Sequence, residues 1–163
     1  MAKKKKTKIR IIKWKILIAS LAIVYLVALI GSIFTSNTFK KGLYNPIISY
    51  INPPDYIFSI VWLILFFLIA LSLYFNWIKA DKKQKSSIIL FYGINFFLNI
   101  LWGVLYFGLK NHLTALFEII ILLISILALI QVSYKIDKKA AYLLVPYLLW
   151  VAFATILNLL IVV

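Results

Sequence analysis

Three tryptophans stand where they could do chemistry: Trp62, Trp102 and Trp150 each lie six or more residues inside a long apolar run. Indole N–H groups at that depth need a partner or a pocket, whereas tryptophan ordinarily gathers at the membrane–water interface. Trp14 and Trp77, beside basic flanks, fit the interfacial habit. Helical spacing gives each inner tryptophan polar or aromatic company. Asn95, Asn99, Trp102 and Tyr106 stand at i, i+4, i+7 and i+11, one face of a helix. Tyr147, Trp150, Ala154 and Asn158 form a second stripe, and Phe58, Trp62, Phe66 and Ile69 a third. Flat aromatic walls, a small residue and a few amides suit a large, planar, mostly apolar guest. The competing reading for the asparagines is interhelical hydrogen bonding, and for the rings ordinary core packing.

Other chemistry is poorly supplied. The 163 residues include no cysteine, one histidine and four acids, so thiolate metal sites, disulfides and cysteine nucleophiles are excluded. No His/Asp/Glu cluster suggests a metal centre or an acid–base pair, and neither a metal nor a cofactor is expected. Glu118, about five residues into an apolar run, is an intramembrane acid and hence a functional candidate. Snorkelling, or pairing with Lys110 or His112, is the favoured reading for it.

The elements that must position these residues follow from composition. The chain is 65% hydrophobic and 13% charged, with mean hydropathy +1.05, far from the roughly 45–50% apolar content of soluble domains. A spanning helix needs about 20 mostly apolar residues, and five such runs are legible, at about 16–34, 57–78, 88–108, 113–134 and 140–163. Between them lie a long loop, 35–56, containing Asn45-Pro46 and Asn52-Pro53-Pro54-Asp55, a charged linker 79–85, a short turn 110–112 and a break at 135–139. The expected fold is all-α and integral to the membrane, one compact bundle of five transmembrane helices behind a basic tail, residues 1–15. No internal repeat of the transporter type is apparent.

Basic residues set the orientation. Fifteen of the eighteen Lys and Arg fall on one side, in the tail and at 79–85 and 135–139; Lys40, Lys41 and Lys110 fall on the other. The positive-inside rule then places the N-terminus in the cytoplasm and the C-terminus outside. A secretory signal peptide also runs from basic to apolar, but the first run is long for one and Gly31-Ser32-Ile33-Phe34-Thr35 lacks an Ala-x-Ala-like cleavage site. The net charge of +14 invites nucleic acid as a partner. A juxtamembrane basic tail held by anionic headgroups explains it more simply, and no nucleic-acid partner is expected.

The motifs resemble those of the TspO family, the tryptophan-rich sensory proteins related to the mitochondrial translocator protein. Its second-helix signature corresponds to Pro53-Pro54-Asp55-Tyr56-Ile57-Phe58-Ser59-Ile60-Val61-Trp62, and its third to Leu98-Asn99-Ile100-Leu101-Trp102 with Tyr106-Phe107. The fifth appears in full from Leu143-Leu144-Val145-Pro146-Tyr147 through Trp150 and Phe153-Ala154-Thr155 to Leu157-Asn158. Gly31-Ser32 and Phe34 are similar to the end of the family's first helix.

This resemblance implies five helices, a homodimer, and a bundle pocket for tetrapyrroles such as protoporphyrin IX, capped by the first loop and open to benzodiazepine-site ligands. Carried over to this sequence, the pocket positions are Trp62, Asn99, Trp102, Trp150 and Ala154, to which the stripes add Phe58, Asn95 and Tyr147. It also implies a possible enzymatic reading, light- and oxygen-dependent porphyrin breakdown with Trp62 and Trp150 as the redox-active rings. Passive or oligomeric translocation of porphyrin-like molecules is a third. Two departures bear on ligand choice. The family's Lys-Pro-x-Trp stretch is absent from Ile48-Ser49-Tyr50-Ile51-Asn52, and Ile156 replaces the tyrosine of the eukaryotic sterol motif, so cholesterol binding is not implied. The Lys-, Ile- and Asn-heavy composition points to a bacterial plasma membrane.

Overall fold

The computed structural model describes residues 12–39 and 55–163, with the side chains of residues 35–39 and 55 left aside. The basic tail up to residue 11 and most of the expected lid loop, residues 40–54, lie outside the described residues. Hydrocarbon cannot hydrogen-bond an exposed backbone, so the apolar runs satisfy their peptide groups internally. They form α1 (Trp14–Phe39), α2 (Asp55–Lys79), α3 (Lys82–Gly103), α4 (His112–Ile136), α5 (Lys138–Leu143) and α6 (Val145–Val162). A π-helical turn, Val104–Gly108, extends α3. Counting α3 with its π turn, and α5 with α6, as single crossings, five helical segments are long and apolar enough to cross a membrane, as expected.

The ends of the helices differ from the sequence expectation for definite reasons. The first helix runs on to Phe39 instead of ending near residue 34. The charged linker 79–85 is mostly helix: only Ala80 and Asp81 separate α2 from α3. Asp81 Oδ1 accepts from the Gln84 N–H at 2.7 Å while Gln84 Oε1 accepts from the Asp81 N–H at 3.0 Å. This capping box starts α3 about six residues before the apolar run does. The expected break at 135–139 is a single residue, Asp137, which ends α4 through its N–H and caps α5 by accepting from the Lys139 N–H at 3.1 Å. The fifth span is itself broken at Leu144, because Pro146 has no N–H to give the preceding turn.

Packing closes the helices into a ring. α1 lies against α2 and α3, α3 against α4, α4 against α5 and α6, and α2 completes the circuit against α5 and α6. Ile69, Ile88, Ile119, Leu122, Ile126 and Leu129 fill the interior, while Leu26, Leu63, Phe97, Ile124 and Leu149 point outward and are mostly exposed. An apolar exterior is what a lipid solvent demands. Gly103 and Gly31 mark the close approach of α3 and α1: a Cβ on Gly103 would sit 3.9 Å from the Gly31 carbonyl oxygen.

The polar groups inside the ring hold helices together. Asn76, fully buried, donates to Tyr92 Oη at 3.2 Å and to Ser133 Oγ at 2.8 Å. Ser72 Oγ lies 2.7 Å from Tyr92 Oη and donates to the Ala140 carbonyl at 2.8 Å. Four helices are joined in this one network. Asn158 fastens α6 to the start of α4, its amide placed to donate to the His112 carbonyl at 3.3 Å and accept from the Leu116 N–H at 2.9 Å.

Candidate functional site

Three helices turn their aromatic stripes toward one another. On α2, Phe58, Trp62 and Phe66 follow one face, with ring centroids 6.1 Å and 5.3 Å apart in succession. Phe58 is the junction: its ring lies 6.0 Å from Phe107 after α3 and 6.2 Å from Trp150 on α6. Trp62 meets Tyr147 of α6 edge-on at 6.2 Å. The inner tryptophans of α2, α3 and α6 thus belong to one continuous aromatic cluster.

Beside that cluster lies a cavity of about 140 Å³. Its walls are Phe58, Ser59, Trp62 and Phe66 from α2, Asn99, Trp102, Gly103 and Phe107 from α3 and its π turn, and Ala28, Gly31 and Ser32 from α1. Among the described residues no lining side chain is titratable, so these walls offer shape, ring faces and hydrogen bonds. The indole N–H groups of Trp62 and Trp102 are buried without a hydrogen-bond partner among the described residues. A buried, unpaired donor is destabilising by about 1–3 kcal/mol.

The sequence stripes divide here into wall and support. Phe58, Trp62, Asn99 and Trp102 line the cavity; Asn95, Tyr147, Trp150 and Ala154 do not. Tyr147 Oη donates to Asn95 Oδ1 at 3.3 Å and accepts from Asn99 Nδ2 at 3.1 Å. Asn95 Nδ2 donates to Ser125 Oγ at 2.9 Å, and Ser125 returns its proton to the Leu122 carbonyl. Asn95 is therefore interhelical glue, and Tyr147 is the bolt between α3 and α6 that holds Asn99 at the cavity edge. Removing that hydroxyl with Tyr147→Phe costs both bonds. Stability should fall by about 1–2 kcal/mol, measured as a lower thermal midpoint in detergent. An unchanged midpoint would show that the two bonds contribute nothing.

Trp150 backs the site instead of facing it, resting on Phe58 and, at 5.6 Å, on Phe153. Its indole N–H is likewise buried and unpartnered among the described residues. Ala154 is buried between helices.

The expected stripe on α3 also needs correction at its end. A regular helix would put Tyr106 on the face of Trp102, but the π turn, closed by the Leu109 N–H on the Val104 carbonyl at 2.8 Å, widens the coil by one residue. Phe107 consequently enters the cavity wall, while Tyr106, stacked on Trp102 at 5.0 Å, does not line it. Lys110 at φ 53° and Asn111, which caps α4, then reverse the chain. The α1 contribution was invisible to the stripe argument, although Gly31 and Gly103 carried a signal as small residues where helices could meet closely.

Glu118 departs from its expected pairing. It is 5% exposed, and neither carboxylate oxygen has a hydrogen-bond partner among the described residues. Neither Lys110 nor His112 reaches it. Among the described residues, the ion pair is Lys79–Asp137, at 2.7 Å, and no three His, Asp or Glu side chains gather as a metal set would require.

Comparison with known proteins bears on what this cavity belongs to. The family model described as TspO/MBR matches residues 19–163. A tryptophan-rich protein TspO of Archaeoglobus fulgidus is 36% identical over 148 residues, covering 87% of this chain and 92% of that protein. The tryptophan-rich sensory protein of Cereibacter sphaeroides is 28% identical over 145 residues, covering 89% and 88%. The human translocator protein is 28% identical over 110 residues, covering 66% and 64%.

Proposed function

Because the chain belongs to the TspO/MBR family and is a multi-pass membrane protein, we propose that it is a receptor for tetrapyrroles of the protoporphyrin IX class, bound among Phe58, Trp62, Asn99 and Trp102. One observation carries the reading. Trp62 of α2 and Trp102 of α3 line one shared hollow, and among the described residues no charged side chain lines it. A planar conjugated guest would use such rings by stacking.

The hollow of about 140 Å³ is smaller than the roughly 300–1,000 Å³ of typical small-molecule sites. Binding a macrocycle requires the half-buried Phe58 and Trp62 rings to rotate and α1 to part from α3 near the close approach of Gly31 and Gly103. The protein works in this reading as a homodimer in a bacterial plasma membrane, with the N-terminus and the basic helix ends at the cytoplasmic face.

Titrating detergent-purified protein with protoporphyrin IX tests it. Saturable quenching of tryptophan fluorescence is expected; quenching that is linear and non-saturating would mean simple partitioning into the micelle and would remove the proposal. Illuminating the same complex in air separates a receptor from an enzyme. Stable porphyrin absorbance supports binding alone, and steady loss that depends on Trp62 moves the function to oxidative breakdown.

A further inference from the structure

At the opposite end of the same three helices lies a larger hollow, about 440 Å³, between α1, α2 and α3. Its walls are apolar, and the two hydroxyls among its lining residues are committed elsewhere. Ser20 Oγ donates to the Ile16 carbonyl at 2.9 Å, and Tyr92 Oη is held by Ser72 and Asn76. The interior therefore has little to offer a polar guest. Charge appears only at the mouth. Lys15 is part of the lining, and Lys85 Nζ stands 5.3 Å over the ring of Trp77, itself a wall. Gly93 keeps the hollow open: a Cβ built there would meet nothing within 4 Å.

We infer that this groove is a specific site for an anionic phospholipid, one acyl chain lying along Trp77 and Gly93 and the phosphate held by Lys15 and Lys85. The chemistry at each level matches one occupant. An apolar trough selects hydrocarbon, and a cationic rim at the level of the headgroups selects an anion. A second copy of the chain fits less well, since a parallel neighbour docked on this face would bring its own Lys15 and Lys85 against these. The site is distinct from the aromatic cavity, and of the basic tail it uses only Lys15, the last residue.

Native mass spectrometry of the full chain, released from micelles containing equal phosphatidylglycerol and phosphatidylcholine, is the test. Wild type should retain one phosphatidylglycerol in preference to phosphatidylcholine. The double variant Lys15→Gln/Lys85→Gln, altering two side chains outside the core, should lose that preference by roughly tenfold or more. Gly93→Phe fills the trough and should lose the retained lipid altogether with the tail intact. Equal retention of both lipids by wild type overturns the inference. So does an undiminished anionic preference in Gly93→Phe, which assigns the effect to the tail, or a dimer that becomes monomeric in that variant while lipid retention is unchanged, which assigns the face to a second copy.

Discussion

Trp62→Ala and Trp102→Ala should each weaken protoporphyrin binding by about 2–3 kcal/mol, roughly 30- to 150-fold in Kd, with Trp150→Ala costing about 1 kcal/mol, roughly fivefold. The ranking comes from position. Trp62 and Trp102 both line the cavity, so truncating either removes a stacking surface from its wall. Trp150 acts only through the Phe58 ring 6.2 Å away. Because each change removes a fluorophore, porphyrin absorbance is the proper readout. A Trp150→Ala effect larger than the other two would place the guest on the α6 side of Phe58 and overturn the assigned wall.

Asp137→Ala should be the most damaging change outside the cavity, lowering stability by about 2–4 kcal/mol. Asp137 is 4% exposed and serves two structures at once. It ties α2 to the α4–α5 corner through Lys79 at 2.7 Å, and it caps α5 through the Lys139 N–H. Breaking a fully buried pair costs more, but Lys79 is one third exposed and can turn to water. Asp137→Asn keeps an acceptor for the cap and loses only the charge, so it should cost about half as much. Thermal unfolding followed by size-exclusion chromatography separates the cases; equal losses in both variants would mean that the cap contributes nothing.

Several features were legible before any coordinates. Five apolar runs of bilayer length, separated by charges, require five membrane-spanning helical segments, because in hydrocarbon a helix is the only solution open to an isolated segment. The stripes through Phe58, Trp62, Phe66, Asn99 and Trp102 were readable for a related reason: helical periodicity is local, and five cavity-lining residues follow from counting. Helix ends were less visible. Hydropathy ignores caps, so it passed over the Asp81–Gln84 box and the single-residue hinge at Asp137.

What the tertiary structure alone decided is which of the inward residues face empty space and which face another helix. Asn95, Asn99 and Tyr147 read alike along the chain, yet a hydrogen-bond chain through Ser125 buries Asn95 as glue and leaves Asn99 at the cavity edge. The π turn brings Phe107 into the wall, and α1 supplies a third wall that no aromatic or polar stripe on it marked, its Gly31 being the one hint. Periodicity assigns a residue to a face of its own helix. Whether that face meets a neighbour or a gap depends on crossing points set by pairs such as Gly31 and Gly103, distant in sequence, whose approach no local pattern encodes.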